Sequence, residues 1–169
     1  MKIVREYLAK VTEMRRQIRS NKKYSCIEEF VLKNGKEFTS QNGEKLKRGR
    51  MKQCFKNAYH LAEDFNLIYV EGYASFMGLG FPVLHAWCVG KDGNVYDPTW
   101  KNGGEYFGVP FDLMYVRKII LRRERFGVID NVEMGFPLLA GKDTDFKNTE
   151  VARAIAKGRG CELGLQAQT

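Results

Sequence analysis

The stretch VLHAWCVGKDGNVYDPTW, residues 83–100, decides how this chain folds. Val83 to Gly90 and Asn94 to Trp100 read as two strands closed by Lys91-Asp92-Gly93. A three-residue loop of that composition suits a type I turn followed by a left-handed glycine with a bulge. Gly90 then faces Asn94, Trp87 faces Asp97, and His85 faces Thr99. Directly opposed residues of an antiparallel pair share a face, as do residues two apart along a strand. His85 and Asp97 are therefore diagonal neighbours on one face, a separation that a carboxylate–imidazole hydrogen bond closes. A two-residue Asp-Gly turn would shift the pairing by one and send the two to opposite faces.

Upstream of the hairpin, Met51 to Phe65 reads as a helix whose apolar stripe is Phe55, Ala58, Tyr59, Ala62 and Phe65, with Asn66 as its stop. Leu67 to Ser75 then reads as a strand, and Met77 to Pro82 as a loop rich in glycine. Cys54 falls in the first turn of the helix, where unpaired backbone N–H groups and the helix dipole favour negative charge. Arg50 and Lys52 just before it favour a thiolate further. A small buried core residue is the other reading of Cys54. Likewise Asp97 before Pro98 can simply open a turn. His60 lies off the helical face of Cys54 and is given no role.

Further out, residues 2–20 form an amphipathic helix by the three- and four-residue recurrence of Ile3, Val4, Tyr7, Leu8, Val11, Met14 and Ile18. Tyr24 to Leu32 reads as a short helix and residues 39–50 as a polar, basic surface loop. Residues 112–123 make a strand or a short helix. The expected organisation is one domain over 1–141 and a weakly structured tail over 142–169, with a weak helix at 146–157.

At 169 residues, with a hydrophobic share of 44%, the chain can bury a core of its own. Its apolar runs are shorter than a membrane span, so no membrane partner and a cytoplasmic location are expected. The four cysteines, Cys26, Cys54, Cys88 and Cys161, form no C-x-x-C pair. With two histidines in the chain, neither a metal site nor another cofactor is expected. The net charge of +8 gathers at Arg15 to Lys23, Lys45 to Lys52 and Arg122 to Arg125. Such clusters admit nucleic acid or an acidic protein as partner, although no nucleic-acid-binding motif accompanies them.

Cys54 with Asn57-Ala58 and Leu61, then Tyr69 to Tyr73, then His85-Ala86-Trp87 with Asp97-Pro98-Thr99, together resemble the core of the transglutaminase-like superfamily of papain-like cysteine enzymes. The resemblance runs from about Gln53 to Trp100. It implies an α+β fold in which a nucleophile helix packs on an antiparallel sheet, with an added N-terminal helix. It also implies a triad: Cys54 as nucleophile, His85 as base and then acid, Asp97 as orienter. The expected activity is acyl transfer at an amide of a protein or peptide, through a thioester. Hydrolysis by a protease, isopeptidase or deamidase is one outcome and transamidation another. A catalytically inactive basic scaffold and an acetyltransferase are the rival readings. Papain-type proteases carry an oxyanion glutamine six residues before the cysteine, where this chain has Arg48. Gln53 and Gln41 are the candidates for that role, and Trp87, Trp100 and Tyr106 are candidate walls of a substrate cleft.

Overall fold

The computed structural model describes residues 3–17, 21–39, 49–76, 78–91, 93–101 and 103–147. They form an α+β protein whose five-stranded antiparallel sheet curls into a half-barrel packed with helices, the N-terminal helix among them. In chain order the main elements are α1 (Ile3–Arg16), α2 (Ile27–Asn34), β1 (Lys36–Thr39), α3 (Cys54–Phe65), β2 (Ile68–Phe76), β3 (Val83–Val89), β4 (Val95–Tyr96), β5 (Gly103–Phe111) and α4 (Leu113–Arg123). The strands lie in the order β1-β5-β2-β3-β4.

Alternation along the strands separates two apolar clusters. Tyr69 and Tyr73 of β2, Ala86 and Cys88 of β3, and Phe107, Val109 and Phe111 of β5 face the helices, where they meet Val4, Leu8, Phe30, Ala58 and Ala62. Val70, Ala74, Trp87, Val89 and Tyr106 point the other way and pack with Phe38. By the two-residue period of a strand, His85 belongs to this second face with Trp87.

The hairpin adopts the expected odd register. Cys88 pairs with Tyr96 and Val89 with Val95. The Gly90 N–H donates to the Asn94 carbonyl at 3.0 Å, and Gly93 takes the left-handed φ of +82°. Asn66 caps α3 in the left-handed region, at φ +50°, as the sequence predicts.

Other readings are corrected, narrowed or extended by the structure. The second hairpin strand ends at Tyr96 rather than Trp100, because the Asp97 side chain takes the next two free backbone N–H groups and Pro98 supplies none. The expected surface loop at 39–50 begins on a strand, since β1 reaches Thr39, and residues 40–48 lie outside the described part. β5 is a full central strand that its glycines and Pro110 conceal. Gly108 is needed there, since a Cβ would stand 2.6 Å from the Trp87 ring and 2.7 Å from the Glu71 carbonyl oxygen. Pro110 is tolerated because β1 pairs with β5 only from Glu105 to Gly108, leaving the outer flank of Pro110 without a strand. Residues 112–123 resolve as a helix capped by Asp112, whose carboxylate accepts from the Tyr115 N–H. The packed region passes the expected boundary at 141: Phe146 is buried among the rings of Phe30 and Phe111, and Lys147 bridges to Phe111. The rest of the expected 146–157 helix lies outside the described residues.

Candidate active site

α3 and β3 are held in register by a buried contact. The Cys88 thiol donates to the Ala58 carbonyl at 3.1 Å, and burial keeps that thiol protonated by raising its pKa. Ala58 lies one helical turn after Cys54, and Cys88 lies three residues after His85. The same docking sets the start of α3 beside the start of β3. β4 pairs with β3 only at Cys88 and Val89, so no β4 residue pairs with His85. Cys54 lies near enough to His85 there to raise the pKa of the ring.

The other side of the ring belongs to Asp97. His85 Nε2 lies 2.7 Å from Asp97 Oδ2. A carboxylate can only accept, so Nε2 carries the hydrogen and Nδ1 is the nitrogen left for the sulfur. Tyr106 donates its hydroxyl to the same Oδ2 at 2.9 Å. Oδ1 accepts from the backbone N–H groups of Thr99 (2.8 Å) and Trp100 (2.9 Å). The Asp97 carboxylate is thus fixed by its own turn before the imidazole meets it.

Electrostatics follows from this geometry. Burial alone would lower the pKa of His85, but the hydrogen bonds and charges of Asp97 and Cys54 outweigh it and raise the ring from 6.5 to about 9. For Asp97, burial pushes upward, yet the His85 hydrogen bond and charge and the Trp100 and Thr99 amides win and hold it below the usual carboxylate range. Trp100 covers the imidazole in a parallel stack, centroids 3.8 Å apart and planes 8° apart, and itself packs on Phe76. His85 and Asp97 are buried, whereas Cys54 is half-exposed. Cys54 is the member of the three with appreciable exposed surface.

The candidate cleft residues divide. Trp87 and Tyr106 are fully buried and form the support behind the His85–Asp97 pair rather than an open wall. Trp100 is half-buried and is the one of the three with exposed surface. Gln53 occupies the N-cap position of α3, exposed and without a side-chain hydrogen bond to the helix. Gln41 lies outside the described residues. Lys52, just before Gln53, adopts a left-handed φ of +63° that carries the chain into the helix.

Asn57 has a part that sequence reasoning missed. Its Nδ2 donates to the Arg50 carbonyl at 2.8 Å and to Thr99 Oγ1 at 2.9 Å. Gly49 N–H donates to the Pro98 carbonyl at 2.9 Å. Together these contacts sew the segment before the cysteine to the segment that follows Asp97. The signal was present in Asn57 standing three residues after Cys54, on its helical face.

Cys26, Cys54 and Cys88 are free thiols. Among the described residues, no group of three or more His, Cys, Asp and Glu is placed to hold a metal ion, and no helix is long and apolar enough to cross a membrane. Comparison with protein-family models, curated protein sequences and solved structures gives no match for this chain.

Proposed function

We propose that Cys54, His85 and Asp97 act as a catalytic triad in a papain-like, transglutaminase-like fold, and that the protein transfers the acyl group of an amide through a thioester. The observation that carries this reading is a single imidazole, fixed by a buried carboxylate at 2.7 Å and raised in pKa by a nearby, partly exposed cysteine at a helix start. Such an imidazole is oriented for one task, to take a proton from sulfur and hold it.

Cys54 gives its proton to His85 Nδ1, and the sulfur attacks the amide carbonyl carbon. The oxyanion that develops faces the start of α3, where Gln53 leaves the first backbone N–H groups without a side-chain cap; the Cys54 N–H is one donor. His85 then protonates the leaving nitrogen, the C–N bond breaks, and the acyl group remains on sulfur. Water, giving its proton to His85, hydrolyses the thioester and frees Cys54. An amine in place of water gives transamidation. Hydrolysis is the reading adopted, because water needs no binding site of its own.

Two measurements test the reading. Iodoacetamide near neutral pH labels Cys54 rapidly, His85→Ala slows the labelling, and buried Cys26 and Cys88 stay unmodified. With p-nitrophenyl acetate, the protein releases a burst of one nitrophenolate per chain and carries a hydroxylamine-sensitive acetyl group on Cys54. Labelling no faster than that of a free exposed thiol, with no burst, overturns the proposal.

A further inference from the structure

Charge in the two segments that flank the triad is one-sided. The two segments sewn together at the site, residues 49–57 and 97–101, contain Arg50, Lys52, Lys56 and Lys101 but a single carboxylate, Asp97. Asp97 is buried, and its oxygens are taken by His85, Tyr106 and two backbone amides. Lys56 lies over the Phe126 ring instead of the site. The other three cations are exposed. Lys52 stands two residues before Cys54. Asn57 holds the Arg50 carbonyl next to Thr99, and Lys101 follows the tryptophan that covers His85. Among the described residues no carboxylate pairs with Arg50, Lys52 or Lys101. Elsewhere among the described residues some exposed arginines find acids, as Arg16 finds Glu29, Arg117 finds Glu63 and Arg125 finds Glu133, while Arg5, Arg15 and Arg122 do not. First-turn positive charge also works against the dipole of α3, which carries no acidic residue there.

We infer that the amide presented to Cys54 lies in an acidic stretch of a protein or peptide, held by Arg50, Lys52 and Lys101 at the mouth of the site. This deepens the proposed acyl transfer and rests on it. The three cations meet the side chains that flank the scissile amide, so an acidic substrate arrives faster and stays longer than a neutral one, and a basic one is turned away. The preference is a surface effect and weakens with salt.

The test uses chloroacetylated peptides, which alkylate a thiol without any need for turnover. A tetraglutamate and a tetralysine version are compared, each rate divided by that for neutral iodoacetamide on the same protein. At low ionic strength the acidic probe labels Cys54 roughly tenfold faster than the basic one, and about 0.5 M salt removes most of the difference. The triple variant Arg50→Glu, Lys52→Glu and Lys101→Glu cancels or reverses the preference. A control variant with Arg5→Glu, Lys10→Glu and Lys118→Glu changes net charge equally at exposed positions on α1 and α4 and keeps the preference. Equal rates for the two probes, or a preference that both triple variants lose alike, overturns the inference while leaving the triad intact. Slow labelling by iodoacetamide itself overturns the triad reading instead.

Discussion

Replacing Asp97 by asparagine separates a catalytic pair from a merely structural one. Oδ1 of Asp97 serves the Thr99 and Trp100 amides, which an asparagine carbonyl oxygen continues to satisfy. The new amide group then meets His85 Nε2 with a donor where an acceptor stood. Nε2 must now accept, the ring hydrogen moves to Nδ1, and the nitrogen facing the sulfur can no longer take its proton. The loss of charge acts in the same direction. Raising His85 from 6.5 to about 9 corresponds to about 3 kcal/mol in favour of the charged ring, and the Asp97 hydrogen bond and charge are among its main sources. With them gone, only Cys54 opposes burial, and the ring titrates well below its wild-type value. Alkylation of Cys54 at pH 7 therefore falls by about two orders of magnitude. The assay pairs iodoacetamide rates across pH with NMR titration of the His85 ring. A D97N protein that is folded, alkylates at the wild-type rate and still titrates near 9 would refute the reasoning.

Four further outcomes are expected. Because the His85 pKa is raised on folding, its contribution to stability is complete below about 6.5 and disappears as pH rises through about 9, which urea midpoints across that range measure; D97N removes the slope. Glu71, fully buried and bonded to the Tyr69 hydroxyl and the Val128 and Ile129 amides, is pushed by burial from 4.5 to about 7. Its effect is lost as pH rises between those values, so Glu71→Gln flattens the urea midpoint there; an unchanged slope counts against this account. Asn57→Ala removes the bonds to Arg50 and Thr99, lowers stability by about 1–3 kcal/mol and slows Cys54 alkylation, read by thermal melting and iodoacetamide rates. Gly108→Ala forces a methyl group against the Trp87 ring and the Glu71 carbonyl, costing about 1–3 kcal/mol in a denaturant titration.

The hairpin and α3 were legible because local chemistry fixes them. Gly93 can take a positive φ, which selects the three-residue loop, and that loop selects the face on which His85 and Asp97 meet. Asn66 stops α3 for a similar local reason. β5 was hidden because its needs are tertiary. Gly72 and Gly108 face each other so closely that a Cβ on Gly72 would stand 2.3 Å from the Gly108 Cα, a demand invisible from either position alone. With β5 unseen, Tyr106 and Trp87 looked like cleft walls, whereas the sheet places them beneath the imidazole. Residues 112–123 could not be assigned because Leu113, Val116, Ile119 and Ile120 satisfy helical spacing while β-branched content favours a strand. The Cys54–His85 contact depends on helix docking, and no sequence spacing encodes it.

The Ala58–Cys88 tie makes the sulfur a sentinel of assembly. The nucleophile and base of the proposed triad ride on separate pieces of secondary structure, joined where a helix seats on a strand. A chain still emerging from synthesis, or one whose helix has lifted from the sheet, keeps every residue of the triad but has no activated thiol. On the proposed function, chemical power is thus withheld until folding is complete, sparing nearby proteins from indiscriminate cleavage.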